Sequence, residues 1–258
     1  MMLQADHSTW ISEKGHFCNF KCKPKYKGDT YIGKGVAFKQ RSCKSPMSVI
    51  VKVFGHTHGG TKTWGHYKAV GHLARQFAEP FNSYLGTTNA GPKVEFLTPE
   101  MAIMNTQSDF QMFARFFWNF KKIFSEDEAV VIERRLKGDF ITYVHTTGHA
   151  THEMSALPAA FCHFSYQESG VQFVICNLQG VHDKEKFVFT NPVIHSISET
   201  FGESDKGAKG IATFFENHVC TYLCQDFIKP GHIAKEFTAL DEDRPPRYSI
   251  LFPDRRIV

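Results

Sequence analysis

FCHFSY (161–166), VICNLQGV (174–181), FTNPVIHS (189–196), FGESDKGAKGI (201–211) and NHVCTYLC (217–224) follow one another along one stretch of the chain. Two kinds of chemistry are legible in it, a soft-metal clamp and a polar site at the end of a strand. The clamp is His218, Cys220 and Cys224, an H-x-C-x3-C triplet. Such close spacing lets an imidazole and two thiolates converge on one ion, because tetrahedral Zn²⁺ takes its ligand atoms at about 2.0–2.3 Å. A fourth ligand must come from elsewhere, and spacing alone does not choose among 14 histidines. His163 stands out because it lies on a strand-like run leading into the central segment. Four protein ligands leave no position for substrate water, so the site reads as structural zinc. The alternative is that Cys220 and Cys224 are small buried groups on one side of a helix, with His218 capping them.

The pieces also occur together and in order. They resemble the alpha-kinase family of atypical protein kinases, whose pattern reads F-x-H-[FW]-[ST]-Y, D-[LI]-Q-G-V, T-D-P-x-I-H-S, a Gly-rich turn, then F-F-x-x-H-x-C-N-x-x-C. The match is in register over all five pieces and extends upstream to IERRLKGDFITY (132–143), which resembles the family's hinge. The resemblance implies an α+β, two-lobed, protein-kinase-like fold with zinc in the C-terminal lobe. It assigns the zinc to His163, His218, Cys220 and Cys224. The expected divisions are an N-terminal extension (1–27), a nucleotide-binding lobe (28–132), a catalytic and zinc lobe (133–228) and a C-terminal extension (229–258).

Upstream, residues 30–54 read as short strands. Gly33 and Gly35 suit a tight strand-to-strand turn whose N–H groups cover phosphates. Lys52 interrupts the apolar run of Val49, Ile50, Val51, Val53 and Phe54, an odd place for a charge on a half-buried strand; read alone it is an edge-strand lysine facing water. The resemblance makes it the ATP-binding lysine. It likewise makes Glu133, otherwise a strand-end carboxylate, a contact of the adenine edge and of that lysine, with backbone groups near Arg135 holding the adenine. Residues 67–85 read as a helix, with Leu73, Phe77 and Phe81 on a face expected to pack on the N-terminal sheet and Pro80 expected to end or kink it early. Residues 94–105 read as strand broken at Pro99. The aromatic-rich 110–124 is a helix or strand pair without a family counterpart, an insertion.

The chain departs from the family where the chemistry is densest. Phosphoryl transfer asks for positioning and charge neutralisation, with Mg²⁺ and a lysine on the phosphates and a residue orienting the attacking hydroxyl. The family's aspartate that serves as acid/base is Asn177 here, its metal-binding aspartate is Asn191, and its assisting glutamine is retained as Gln179. A neutral amide takes no proton and binds Mg²⁺ less well than a carboxylate. Asp183 and Asp205 are the nearby carboxylates. In the Gly-rich turn, Ser204 and Asp205 replace a glycine and an asparagine, while Gly202, Gly207 and Gly210 remain.

Composition bounds the rest. A chain of 258 residues fits one large domain or two small lobes, and 25 phenylalanines point to an aromatic-rich core. A net charge of +4 is too mild for a nucleic-acid binder, which needs a basic stripe. No run reaches the roughly 18 apolar residues of a membrane span, and the polar opening lacks a secretory h-region. The seven scattered cysteines suit a reducing, cytoplasmic setting. His16, Cys18 and Cys22 offer metal-binding donor types, and the better reading is ordinary surface and strand residues. The expected function is ATP- and Mg²⁺-dependent phosphorylation of protein Ser/Thr, and the alternative is a pseudokinase that binds nucleotide or acts as a scaffold. Expected partners are a protein substrate or binding partner, with neither nucleic acid nor membrane.

Overall fold

The computed structural model describes residues 10–21, 25–27, 30–38, 47–55, 58–88, 91–104, 122–125 and 127–230. Expectations for Cys22, for most of 110–124 and for the chain beyond 230 lie outside the described residues. Contacts divide the chain into two compact units, Met1–Lys68 with Leu97–Leu136, and Ala69–Phe96 with Lys137–Val258. Residues 69–96 precede the expected division at 133 yet cluster with the second unit. No helix among the described residues is long and apolar enough to cross a membrane.

The first unit is built from β1 (Trp10–Ser12), β2 (Phe17–Phe20), β3 (Lys25–Lys27), β4 (Thr30–Phe38), β5 (Met47–Phe54), β7 (Glu100–Met104) and β8 (Ala129–Arg134). They form one antiparallel sheet in the order β2-β1-β7-β8-β5-β4-β3, and β2 also pairs with β4. That last pairing closes six strands into a barrel, which removes their free edges. Side chains alternate along a strand, so Val49, Val51 and Val53 of β5 and Val130 and Ile132 of β8 join Trp10, Phe20 and Ala37 in the core. Trp10 meets Phe20 edge to face at 5.7 Å. Lys52 and Glu133 take the opposite parity. Lys52 stands across from Val131 and Ile50 across from Glu133, so the two charges are diagonal neighbours on one outer face.

Gly33 and Gly35 make no turn. They lie inside β4, paired with Val51 and Val49 in a register running unbroken from Thr30 to Ala37. Both are buried and share the inward parity of Ala37. Gly35 stands across from Phe20 of β2, and a small residue on the interior side of a narrow barrel leaves room for such a ring. Cys18 is also interior, and burial raises its thiol pKa. His16 instead bonds Glu100 at 2.8 Å through Nδ1.

Helix α1 (Thr61–Thr88) runs through Pro80, which overturns the early stop expected from that residue. Its first turns, through Lys68, belong to the first unit and the remainder to the second. A mid-helix proline costs roughly 3 kcal/mol. Phe77, Phe81 and Leu85 are all buried around it, and each buried side chain of this size returns about 1.5–3 kcal/mol. The face bearing Leu73, Phe77 and Phe81 packs in the core of the second unit, not on the N-terminal sheet as expected. Periodicity shows which residues share a face and is silent on what that face meets. Trp64 and Tyr67, three apart near the start of the helix, are the residues that pack on the sheet, against Ala129 and Val131.

The second unit adds β6 (Lys93–Phe96), β9 (Ile141–Val144), α2 (Ala156–Glu168), β10 (Phe173–Cys176), β11 (Leu178–His182), β12 (Lys186–Thr190), β13 (Val193–Ser196) and α3 (Gly207–Asn217). One sheet has the order β6-β12-β11-β9 and a second pairs β10 with β13. The phenylalanine-rich composition is spent here: Phe81 contacts Phe161 at 5.4 Å and Phe164 at 5.2 Å, and Phe96 contacts Phe161 and Phe189. Asn82 uses its amide as a substitute strand, receiving the Val94 N–H and donating to the Val94 carbonyl, both at 2.8 Å.

Candidate functional site

In the first unit, Lys52 and Glu133 form a buried ion pair, Nζ to Oε2 at 3.0 Å. Tyr67, which the sequence reading did not single out, completes it. Its hydroxyl donates to Glu133 Oε1 at 2.7 Å and accepts from the Lys52 ammonium, whose nitrogen sits 4.8 Å from the ring centroid. The signal that could have found it was the Trp64/Tyr67 spacing, on the side of α1 away from Leu73. Burial of a charge is tolerable only when it is paired and hydrogen-bonded, and both conditions hold. Arg135, just past β8, is exposed and gives its N–H to the Ser48 carbonyl at 3.0 Å.

In the second unit, Asn177 joins β10 to β11, and Asn191 follows β12. Both have φ of 55°, the left-handed region that Asn and Asp tolerate best among residues with a side chain. Asn177 Nδ2 donates to the Asn191 carbonyl at 2.8 Å, so the two corners are tied. Gln179 pairs with Thr190 and Thr142 beside a register irregularity at Leu178/Gln179, the kind of break that re-aims a side chain. Gly180 is a steric necessity: a Cβ there would lie 2.0 Å from the Val188 carbonyl oxygen.

Neither nearby carboxylate is spare. Asp183 is exposed and accepts the Glu185 and Lys186 N–H groups, both at 2.9 Å, which close the β11–β12 hairpin and hold its pKa below the usual carboxylate value. Asp205 is buried and receives Ser196 N–H at 2.8 Å, Ser196 Oγ–H at 2.6 Å, Gly207 N–H at 3.0 Å and Phe201 N–H at 3.3 Å. Both of its oxygens accept, so it anchors the turn at 202–210. His195 is the second anchor: Nδ1 accepts the Lys206 N–H at 3.1 Å and Nε2 faces the Thr146 carbonyl at 3.2 Å. Burial lowers its pKa. Its ring lies so close that a Cβ on Gly210 would come within 2.5 Å of Cγ.

The predicted clamp is assembled. Ligand atoms of His163, His218, Cys220 and Cys224 all lie within 4.8 Å of one another. Cys220 Sγ is 3.6 Å from His163 Nδ1, and Cys224 Sγ is 3.6 Å from His218 Nε2, against ligand separations of about 3.3–3.8 Å in a tetrahedral zinc site. His163 lies on helix α2, not on a strand, and is fully buried. Its Nε2 donates to the Ile228 carbonyl at 2.8 Å, leaving Nδ1 toward the thiols, the outer-shell arrangement usual for a metal-binding imidazole. Burial lowers the pKa of both imidazoles, that of His218 to about 4, which favours the neutral form that a metal binds. The alternative of two cysteines on one helix face does not hold, because α3 ends at Asn217.

Comparison with known proteins converges on one family. The alpha-kinase family model matches residues 29–224. Eukaryotic elongation factor 2 kinase of Caenorhabditis elegans is 33% identical over 129 residues, covering 47% of this chain and 16% of the relative; the chain thus spans about a sixth of that relative's length. Among solved structures, an alpha kinase from Entamoeba histolytica superposes with a TM-score of 0.66 at 19% identity, covering 87% of this chain and 92% of the other. The alpha-kinase domain of myosin heavy chain kinase A in complex with ADP gives 0.62 at 18% identity, covering 81% and 86%. At such identity the structural likeness speaks to the fold, and the family model, spanning most of the chain, shows the rest: this chain belongs to the alpha-kinase family.

Proposed function

We propose that the chain is an ATP-dependent protein serine/threonine kinase of the alpha type that carries out transfer without the family's two carboxylates. The observation that carries this reading is the buried Lys52–Glu133 pair. An ion pair is expensive to bury and is often no more stable than an apolar replacement, so its retention is best explained by use. Lys52 would neutralise nucleotide phosphates and Glu133 would hold it there. Since the Arg135 N–H is engaged by Ser48, a main-chain contact from that residue to adenine falls to its carbonyl. Gly33 and Gly35 lie inside β4 in unbroken register with β5, so a phosphate contact from them would come from strand backbone and not from a turn.

Asn191 would offer its amide oxygen to Mg²⁺ and Gln179 would help orient the acceptor hydroxyl. Bound Mg²⁺ supplies neutralisation of charge on the transferring phosphoryl group. Asn177 can position the Ser/Thr hydroxyl but cannot receive its proton, and general-base assistance is typically worth about 10²–10⁴ in rate. A slow kinase follows. The residues His163, His218, Cys220 and Cys224 fit zinc in number, donor type and spacing, and we assign them a structural Zn²⁺, because four protein ligands complete the tetrahedron.

A pseudokinase is the second reading, favoured by the Asn177–Asn191 tie, which occupies the amide nitrogen at the family's acid/base position with a backbone partner. One experiment separates the two: Mg²⁺-ATP turnover on a generic basic protein, with Lys52→Met as control. Phosphoserine or phosphothreonine formed by the unmodified chain and absent with Lys52→Met supports the kinase. ATP binding without transfer supports the pseudokinase.

A further inference from the structure

We propose that Tyr67 is a positioning residue of the nucleotide lysine, acting on phosphate recognition through Lys52. This rests on the nucleotide reading above. The geometry is a closed ring of three hydrogen bonds: Lys52 to Glu133 Oε2 at 3.0 Å, Tyr67 hydroxyl to Glu133 Oε1 at 2.7 Å, and Lys52 to the Tyr67 hydroxyl. Glu133 thus divides its two oxygens between the ammonium and the phenol. A lysine side chain is a flexible stem ending in three donors, and a single carboxylate leaves it free to swing. The hydroxyl fixes a second donor. One N–H remains for a phosphate oxygen.

Tyr67 is itself held. Trp64 meets it edge to face at 5.6 Å and packs on Phe54 at 4.3 Å. The Trp64 indole N–H donates to the Ala129 carbonyl at 3.0 Å, while the Ala129 N–H donates to the Gly59 carbonyl at 2.7 Å. Gly59 N–H in turn donates to Glu128 Oε1 at 3.0 Å, a carboxylate paired with Lys122 at 2.8 Å. A Cβ on Gly59 would fall 2.9 Å from Glu128 Oε1 and 3.0 Å from the indole nitrogen. The start of α1 is therefore fastened to β8 by a buried polar clamp, and Tyr67 projects from a fixed base onto Lys52. A tyrosine merely filling space needs neither the hydroxyl contacts nor such a base.

The test is binding of Mg²⁺-ATP and of adenosine, measured in parallel by calorimetry, on the unmodified chain, Tyr67→Phe, Lys52→Met and the double variant. Tyr67→Phe keeps the ring and removes the hydroxyl. It is expected to weaken Mg²⁺-ATP about tenfold, the scale of one charge-assisted hydrogen bond, and adenosine less than about twofold, since adenosine carries no phosphate. In the double variant, Tyr67→Phe should add nothing to Lys52→Met, because its effect passes through the lysine. Equal weakening of both ligands, unchanged Mg²⁺-ATP affinity, or full additivity with Lys52→Met would each overturn the inference. Absence of Mg²⁺-ATP binding to the unmodified chain would instead overturn the nucleotide reading, and the inference with it.

Discussion

The cluster around Lys52 and the loop carrying Asn177 and Asn191 have been treated in opposite ways by the same sequence. Around Lys52 the charges are kept, buried and paired, with Tyr67 bonded to both partners. At 177 and 191 the charges are gone, yet the backbone that would present them is intact, with both residues at φ 55° and Gly180 still required by the Val188 carbonyl. On the proposed function, the contrast separates the demands of nucleotide binding from those of phosphoryl transfer. A left-handed corner accepts Asn as readily as Asp, so the carboxylates can be lost without disturbing the fold. Losing Lys52 would leave Glu133 buried without its cation, which is costly.

The contrast breaks hardest through the metal. If zinc fastens the second unit, Cys220→Ser, or removal of metal by a chelator, should lower the melting temperature by about 10 °C or more or render the protein insoluble, since a structural zinc site contributes its binding energy to folding. Calorimetric melting of a soluble Cys220→Ser variant at the unmodified temperature would remove the structural assignment. Next in size is Gly180→Ala, whose Cβ would collide with the Val188 carbonyl. A destabilisation of more than about 3 kcal/mol by urea unfolding is expected, and a neutral result would mean that the close approach is relaxed in solution.

A smaller effect sharpens the contrast at the Gly-rich turn. Asp205 accepts four donors, two on each oxygen, whereas an asparagine would turn its N–H₂ toward two of them. Asp205→Asn should therefore cost about 1–3 kcal/mol, read by urea unfolding, and an unchanged stability would mean that the turn does not depend on the carboxylate. The smallest effect concerns pH. The His195 pKa is lowered in the fold by burial, so below the unfolded value of about 6.5 the unfolded chain binds more protons and stability falls. The loss grows as pH drops from there toward the depressed folded value. His195→Gln should flatten that part of a melting-temperature profile, and an unchanged profile would place the titration elsewhere.

Much of the second unit was legible in the sequence because its motifs hold residue types at fixed spacing, as in the H-x-C-x3-C triplet. The left-handed corners at 177 and 191 and the steric need for Gly180 were not, because a backbone angle and a close approach to Val188 are set by the fold. The first unit was less legible. Lys52 announced itself as a charge among valines, but Tyr67 is one aromatic among many, and its role depends on a contact between α1 and a strand pair distant in sequence. Gly33 and Gly35 misled for a related reason: G-x-G marks a turn or a narrow barrel interior equally well, and closure through β2 and β4 is a long-range fact. The Leu73, Phe77 and Phe81 stripe was visible as a face, while its partner was not.

The most direct measurement is Mg²⁺-ATP turnover on a basic protein by the unmodified chain and by the Asn177→Asp/Asn191→Asp double variant, each with and without Lys52→Met. Transfer limited by two missing carboxylates predicts a double variant faster by about 10²–10⁴ and silenced by Lys52→Met. A double variant no faster than the unmodified chain would contradict the account, since the amides would then not be what sets the rate.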